Sequence, residues 1–202
     1  MSTSKFSAFS YRILALVGRG GAGAHDLARM AHRGRIYAYD APSQYYAEPK
    51  RLARLGYLAA RKKPGKTRER THYTLTDKGL EALREWAPKP TPFPRINHEG
   101  VTRLLAADLV GEAPVRESVS ALRSEIADLS ARLDEAEAVA ETLPHRRKYL
   151  LLNLRLARRL LAAHLEWVDE VEQELAPPRR ARGSVRPRTE LSSRKRRTGS
   201  GR

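Results

Sequence analysis

The sequence predicts a mainly α-helical protein with one β-hairpin in its N-terminal half. Two observations support this fold class. Apolar residues recur every three or four positions through most of residues 7–175, which is the spacing of an amphipathic helix. The exception is residues 57–75, where two short strand-like runs flank a turn at Pro64 and Gly65. The chain is therefore expected to build helices around a single small hairpin.

The composition limits the class of protein. The chain has 202 residues, enough for one or two compact domains, and a formal net charge of +16. It contains no cysteine, which excludes disulfides and thiolate metal sites. No apolar run is long enough to cross a membrane, and the N-terminus lacks the apolar core of a signal peptide. These features predict a soluble, cytoplasmic protein.

The charge is unevenly distributed along the chain. Residues 1–88 and the tail, residues 177–202, are strongly basic, whereas residues 89–176 are slightly acidic. The tail has no aromatic residue and is rich in Arg, Pro, Ser and Gly, so we expect it to be disordered. Basic surfaces attract polyanions, of which nucleic acid is the commonest in cells. The alternative is a basic surface that is merely solvated.

Two helices are predicted between residues 7 and 33, separated by a glycine-rich run. Residues 7–17 place their apolar side chains on one helical face, and a glycine-rich run then ends that helix. Residues 24–33 suit a short second helix with Leu27 and Met30 facing inward. Residues 35–40 alternate in polarity, which predicts a brief strand or an extended loop.

A third helix is predicted at residues 41–56. Ser43 is a suitable N-cap, and Leu52 and Leu55 are expected to anchor the helix in the core. Pro49 lies inside this segment, where a proline removes a backbone donor. Either a kink or a fresh helix start at that position is consistent with the sequence.

The hairpin follows the third helix directly. Its strands are predicted at residues 57–63 and 70–75, and Thr76 is the expected N-cap of a fourth helix at 77–86. Three helices, a two-stranded hairpin and a following helix make a winged helix-turn-helix, which we assign to residues 1–88.

The C-terminal half has a different pattern. Residues 89–94 form a proline-rich hinge, and residues 95–176 are predicted to be a helical dimerisation domain. Within it, residues 95–110 suggest a modest helix, while 115–143 and 145–175 carry long apolar seams. The first seam has the alternating spacing of three and four residues that is typical of a coiled coil. Its members are Val119, Leu122, Ile126, Leu129, Leu133, Ala136, Ala140 and Leu143.

The last helix carries two apolar stripes. One stripe can pack on the preceding helix, and the other then needs a second partner, most simply another copy of the chain. The second stripe consists of Leu152, Leu156, Leu160, Ala163 and Trp167. A monomeric antiparallel hairpin is the alternative, and the sequence does not show which long helix forms the dimer seam. The residues predicted to form the dimer interface lie on the other stripe, which begins at Leu150. They are Leu150, Leu154, Leu161, Val168 and Leu175.

The third helix and the hairpin together suggest a site for double-stranded DNA. A helix can enter the major groove while a basic hairpin tip reaches phosphates or the minor groove. The third helix would be the recognition helix, the one that enters the groove. On it we expect DNA contacts from Ser43, Gln44, Tyr45, Tyr46, Lys50 and Arg51. On the wing we expect them from Lys62, Lys63, Lys66, Arg68 and Arg70. Of the two tyrosines, Tyr46 is predicted to pack in the core and Tyr45 to be more exposed.

These motifs resemble one known family. The run S-Q-Y-Y-A-E-P-K-R-L-A-R-L-G-Y-L at 43–58 and the run H-Y-T-L-T-D-K-G-L-E-A-L-R-E-W at 72–86 are similar to the PadR-like transcriptional regulators. The similarity covers roughly residues 7–90. It implies a winged-helix DNA-binding domain, a helical C-terminal dimerisation region, and repression of transcription that is often released by a small ligand or a stress signal. No specific motif carries the resemblance into the C-terminal half.

No catalytic, cofactor or metal site is predicted. The six histidines do not pair at metal-ligand spacing, and the glycine-rich run at 18–23 follows a helix and lacks the lysine of a phosphate-binding loop. We therefore expect a protein that is not an enzyme. Trp86 and Trp167 suggest a ligand pocket between the winged domain and the long helices. The alternative is that both tryptophans are core anchors.

The sequence thus predicts a homodimeric, sequence-specific transcriptional regulator, most simply a repressor. One alternative is an architectural, nucleoid-type protein that binds DNA through charge without sequence preference. Another is a protein-interaction module whose long helices bind a different protein. Specific binding to one DNA site would distinguish the regulator from both.

Overall fold

The structure is a computed structural model that describes residues 6–33, 36–37, 40–64 and 69–177. Helix α1 (Ala8–Val17) begins at the expected place because Ser7 and Ser10 cap each other's backbone N–H groups. The sequence-predicted disordered tail, apart from Pro177, lies outside the described residues.

The second and third helices match the sequence prediction closely. Helix α2 spans Ala24–Arg33 and α3 spans Gln44–Arg54. Helix α3 continues through Pro49, whose ring is buried against the core, so neither a break nor a fresh start occurs there. Gly56 follows the C-cap of α3 with φ of +78°, a conformation that favours glycine at the end of a helix.

The hairpin belongs to a three-stranded antiparallel sheet. Strands β2 (Leu58–Lys63) and β3 (Arg70–Leu75) form the predicted wing, and the two-residue strand β1 (Ala22–Gly23) pairs with the other edge of β3. The sequence did not predict β1 because it lies in a glycine-rich run without strand periodicity. In the stretch predicted as a brief strand or extended loop, Ile36 and Tyr37 form a turn, and residues 35, 38 and 39 lie outside the described residues. Gly21 precedes β1 with φ of +73°, and a Cβ there would lie 2.6 Å from the carbonyl oxygen of Tyr73.

Helix α4 (Asp77–Trp86) closes the N-terminal half. The Thr76 hydroxyl accepts the N–H of Gly79 at 3.1 Å, as expected for an N-cap. The core of this half combines apolar side chains from all three strands and from helices α1 to α3. It contains Ile13, Leu14, Val17, Ala22, Leu27, Tyr45, Leu52, Leu58 and Tyr73.

An exposed segment without helix or strand then leads to five further helices. The single helix expected at 95–110 is replaced by α5 (Glu99–Leu105) and α6 (Ala107–Val110). The long helix expected at 115–143 is divided into α7 (Glu112–Ser120) and α8 (Leu122–Glu141). The last helix is α9 (Pro144–Glu174). Because Ala121 keeps near-helical angles, the predicted apolar seam continues across the division.

Helices α8 and α9 form an antiparallel hairpin with two buried clusters. Near its open end, Val115 and Val119 of α7 pack on Val168 and Val171 of α9. Farther along, the cluster of Ile126, Leu133, Ala157 and Leu161 joins α8 to α9. The predicted mainly helical fold, a winged helix-turn-helix followed by long C-terminal helices, is confirmed.

The two halves of the chain are in contact. Ile36, from the turn before α3, packs against the apolar cluster between α8 and α9. The Tyr37 hydroxyl donates to the carbonyl oxygen of Asn153 in α9, and Arg146 donates to the carbonyl oxygen of Ala15 in α1. The segment that precedes α3 is therefore docked on the C-terminal helical hairpin.

Candidate nucleic-acid interface

One face of α3 is open to solvent and carries polar and basic side chains. The face consists of Ser43 and the residues three, four, seven and eleven positions after it, which is the spacing of a single helical face. They line a shallow hollow on the protein surface. The face consists of Ser43, Tyr46, Ala47, Lys50 and Arg54. Arg54 was missed by the sequence reasoning, although its place one turn after Lys50 is a signal that could have revealed it.

The positions of the two tyrosines are the reverse of those predicted. Tyr45 is buried, with its ring 5.1 Å from that of Phe9 in an edge-to-face contact. Its hydroxyl donates to Asp40 at 3.1 Å, and burial raises its pKa above the ordinary value of 10. Tyr46 is 44% exposed. The reason is that Tyr45 shares the helical face of Pro49 and Leu52, which points into the core.

Arg51 is turned toward the protein rather than toward solvent. Its guanidinium donates to Glu48 from Nε at 2.8 Å and from Nη2 at 2.7 Å, and Nη2 also lies 3.2 Å from Oγ of Ser10. Burial alone would raise the pKa of Glu48, but hydrogen bonds from Arg51 and Ser10 hold it below its usual value. The predicted DNA contact from Arg51 therefore conflicts with the internal ion pair that its side chain makes.

Ser43 and Gln44 lie at the start of α3, and both are exposed. The side chain of Ser43 makes no capping hydrogen bond to α3, although the sequence predicted it as the N-cap. Gln44 lies beside the N-terminus of α1, in a shallow depression that it shares with Ser7 and Phe9. The N-terminal ends of α1 and α3 therefore meet at one edge of this surface.

The wing carries three exposed basic side chains close together, two of which face each other. Lys63 and Arg70 face each other across the β2–β3 ladder, and Lys62 is opposite Thr71. All three basic side chains are exposed. Like charges directly opposite each other in a ladder repel, so this arrangement favours a bound polyanion. The other two predicted wing residues, Lys66 and Arg68, lie outside the described residues.

The residues predicted to form the dimer interface are placed differently. Leu154 and Leu161 pack against the cluster between α8 and α9, while Val168 and Leu175 pack against α7. Leu150 is half-buried. These side chains close the core of one chain and leave little surface for a second copy. In the other stripe, Leu152 and Leu156 are each 51% exposed.

The two tryptophans are not brought together. Trp86 is stacked on Tyr11, with ring centroids 4.7 Å apart and planes 9° from parallel. Trp167 lines a separate open cleft of about 500 Å³ between α9 and the segment that enters α5. The two tryptophans therefore do not line a common pocket as predicted. Trp167 lines a cleft whose lining does not include Trp86.

Two further features are absent from the described part of the chain. Among those residues, no group of three or more His, Asp or Glu side chains is placed to hold a metal ion. Within the same residues, no helix combines the length and the apolar character needed to cross a lipid bilayer.

The fold and the basic surface define a winged-helix protein with a long-helix C-terminal region, and comparison with known proteins identifies its relatives. Residues 96–176 match the family described as virulence activator alpha C-term. The predicted resemblance to PadR-like transcriptional regulators is confirmed by this match together with the solved structures of similar fold. A comparison with curated protein sequences found no significant match.

Three solved structures illustrate the likeness. The virulence activator AphA of Vibrio cholerae is 25% identical, with a TM-score of 0.62 over 83% of this chain and 98% of its own. PadR of Bacillus subtilis in complex with operator DNA is 22% identical, with a TM-score of 0.64 over 85% and 97%. The PadR-like regulator BC1756 of Bacillus cereus is 13% identical, with a TM-score of 0.66 over 87% and 98%.

Proposed function

We propose that this protein is a homodimeric, sequence-specific DNA-binding transcriptional regulator that acts in the cytoplasm and has no catalytic role. The observation that carries the proposal is the open face of α3, with Lys50 and Arg54, which is followed directly by a wing on which Lys63 and Arg70 face each other. The structural relatives are transcriptional regulators, and that of Bacillus subtilis was solved with operator DNA.

In this proposal α3 enters the major groove and the wing contacts the phosphate backbone or the neighbouring minor groove. In this arrangement Gln44 and Tyr46 would reach base edges, and a glutamine side chain can hydrogen-bond adenine in two places. Lys50 and Arg54 extend from the same face and bind phosphates or guanine. Lys62, Lys63 and Arg70 supply the sequence-independent part of the affinity. Arg51 contributes indirectly, since it holds α3 against α1 through Glu48 and Ser10.

The dimer is proposed to form through the N-terminal half of α9. Leu152 and Leu156 are one helical turn apart and are both about half exposed, with the exposed ring of Tyr149 one turn before Leu152. A second copy of the chain would cover this stripe, as apolar surface of this kind marks protein contacts. Two winged domains would then meet two half-sites of a roughly palindromic operator, about ten base pairs apart or a multiple of that spacing.

Repression and release by a small effector complete the proposal. One solved structure of Bacillus subtilis PadR contains p-coumaric acid, which shows that a relative of this fold binds a small molecule. In this chain, the contacts of Ile36 and Tyr37 with the helical hairpin give a physical route by which a change near α9 alters the position of α3.

Footprinting on the DNA upstream of the protein's own gene tests the proposal, with a large excess of unrelated DNA as competitor. We expect a protected, roughly palindromic site that survives the competitor. Protection that disappears with competitor on every upstream region tested would favour the architectural alternative. A Lys50→Ala, Arg54→Ala double variant is the matched control, since both side chains are exposed and their removal leaves the core intact.

A further inference from the structure

Helices α5 and α6 are apolar on two sides. On the inner side, Leu104 and Ala107 pack against the valine cluster between α7 and α9. On the outer side, Leu105 and Leu109 are 78% and 82% exposed, and Val110 beside them is also exposed. A helix that is apolar on both sides is normally buried on both, and grouped apolar side chains in water mark a protein contact. The outer side of α5 and α6 is therefore left uncovered by the described part of the chain.

This outer surface has an acidic border. Asp108 and Glu112 lie beside the exposed leucine of α6, and both are exposed. Residues 104–115 contain no basic residue. Among the described residues neither carboxylate has an ion-pair partner, whereas Glu99 of α5 is paired with Arg103 at 2.6 Å. The surface therefore suits a partner that carries basic side chains around an apolar centre of its own.

The exposed stripe on the N-terminal half of α9 has the opposite charge. Its apolar centre consists of Tyr149, Leu152 and Leu156. Its basic edge consists of Lys148, Arg155 and Arg159, which are all exposed. On a helix of about 3.6 residues per turn, the basic edge lies within about 60° of Leu152. None of the three has an ion-pair partner among the described residues, and residues 144–165 contain no acidic residue.

A two-fold pair of α9 helices brings these two surfaces together. Farther along α9, the same face is already covered by the start of α5, where the ring of His98 meets Trp167. The covered part and the exposed stripe join near Leu160, which is half-buried. When two antiparallel α9 helices cross there, residues 163–167 of one copy lie opposite about residues 153–157 of the other. The α5–α6 unit of each copy then lies between its own α9 and the exposed stripe of the other.

We propose that the outer surface of α5 and α6 in one copy docks on the exposed stripe of α9 in a second copy, with the acidic border of the first against the basic edge of the second. The inference rests on the proposed dimer and names the surface that covers its stripe. Both apolar surfaces leave water in one self-complementary contact, and unlike charges meet along its border. Because residues 87–98 join α5 to α4, the contact also couples the spacing of the two winged domains to the dimer.

Introduced cysteines test the contact, since the chain has none of its own. A full-length Leu109→Cys, Leu152→Cys protein should form a covalent dimer under mild oxidation or with a short bismaleimide. Within one chain α6 packs beside Val168, roughly 24 Å along α9 from Leu152, which is too far for an internal bridge. Each single-cysteine variant should run as a monomer on a denaturing gel. A double-cysteine protein that is dimeric in solution but does not link would overturn the inference.

Charge reversal tests the pairing of the two borders. Asp108→Lys with Glu112→Lys should weaken the dimer at least about tenfold, because like charges would then meet. Adding Arg155→Glu and Arg159→Glu to the same chain should restore dimerisation to within about threefold of the wild type, because unlike charges meet again. Analytical ultracentrifugation at several protein concentrations measures both effects. A reversal that the α9 substitutions do not rescue would refute the pairing.

The matched control reverses two exposed acids of α8, which lie outside both surfaces. Asp128→Lys with Glu135→Lys makes the same change in net charge and should leave the dimer unchanged. Equal weakening in this control would show a general effect of net charge and would overturn the assignment to α6.

The mass and the operator binding of the wild type separate this inference from the proposed function. A dimer that binds an operator, and whose double-cysteine variant forms no link, retains the regulator and refutes the contact. A linked dimer without a specific DNA site supports the contact and refutes the regulator. A monomeric wild type refutes the proposed dimer and the contact together.

Discussion

Arg51 and Glu48 form a two-point ion pair on α3, with Nε and Nη2 of the arginine 2.8 and 2.7 Å from the two carboxylate oxygens. Both side chains are largely sheltered, and Ser10 of α1 donates to the same carboxylate at 2.6 Å. The pair therefore joins the recognition helix to the first helix.

This pairing predicts that Arg51→Ala destabilises the protein, whereas Lys50→Ala weakens only DNA binding. Removal of Arg51 leaves a partly buried carboxylate without its main partner, which should cost about 1–3 kcal/mol of unfolding free energy. Lys50 is exposed and should contribute little to stability. Urea denaturation and operator titration of both variants check the contrast. Equal stability of the two variants, with a larger loss of DNA affinity for Arg51→Ala, would show that Arg51 contacts DNA directly.

The wing should determine much of the salt dependence of DNA binding. Each lysine that neutralises a phosphate contributes about one to the slope of log affinity against log salt concentration. A Lys62→Ala, Lys63→Ala double variant should reduce that slope by about two and preserve the footprint. Fluorescence anisotropy at several salt concentrations measures the slope. Lys89→Ala, in the exposed segment after α4, is the control, and an unchanged slope in the wing variant would exclude these phosphate contacts.

The exposed stripe on α9 predicts a charge-sensitive dimer. Replacing Leu152 and Leu156 by Glu should shift the protein to a monomer, because two carboxylates would be buried in an apolar contact. Light scattering coupled to size exclusion gives the mass directly. Ala162→Glu places the same charge on an exposed position of the helix away from the stripe and should remain dimeric. A dimer that survives the double substitution would place the interface elsewhere.

Gly79 should resist substitution although it lies inside a helix. Alanine normally stabilises a helix relative to glycine, but a Cβ on Gly79 would lie 2.2 Å from the carbonyl oxygen of Tyr57. Gly79→Ala should therefore destabilise the protein by about 1–3 kcal/mol, since backbone must move. Gly20→Ala, whose Cβ meets nothing within 4 Å, should be close to neutral. Thermal unfolding compares the two variants, and a more stable Gly79→Ala protein would contradict this packing.

His98 predicts a loss of stability in mild acid. Burial and the nearby His164 lower its pKa from the ordinary 6.5, so the unfolded chain takes up the proton first as the pH falls. The contribution of neutral His98 to the free energy of unfolding is fully present above pH 6.5. It declines as the pH falls from 6.5 to the lower pKa that His98 has in the folded protein. Protonation would also remove the acceptor that caps α5.

Thermal unfolding between about pH 5 and pH 8 measures this effect. His98→Asn retains a capping oxygen but does not titrate in this range, so its stability should depend less on pH than that of the wild type. Identical pH profiles would show that His98 does not contribute.

Much of the fold could be predicted because the relevant signals are local. The caps at Ser7 and Thr76 and the apolar periods of the long helices specify where elements begin and which faces are apolar. Strand β1 escaped prediction because two residues cannot display a period. It exists through its pairing with β3, which comes about fifty residues later in the chain.

The sequence by itself determined the class of this protein: a basic winged helix-turn-helix joined to long helices with apolar seams. Only the tertiary structure decided which members of each set face inward. Tyr45 and Tyr46 are adjacent and chemically alike, and the neighbouring Phe9 and Asp40 select Tyr45 for burial. In the same way, packing on α7 and α8 decides which of the two stripes of α9 is used within the chain. Periodicity defines the faces of a helix, but the partner that covers each face comes from distant parts of the chain.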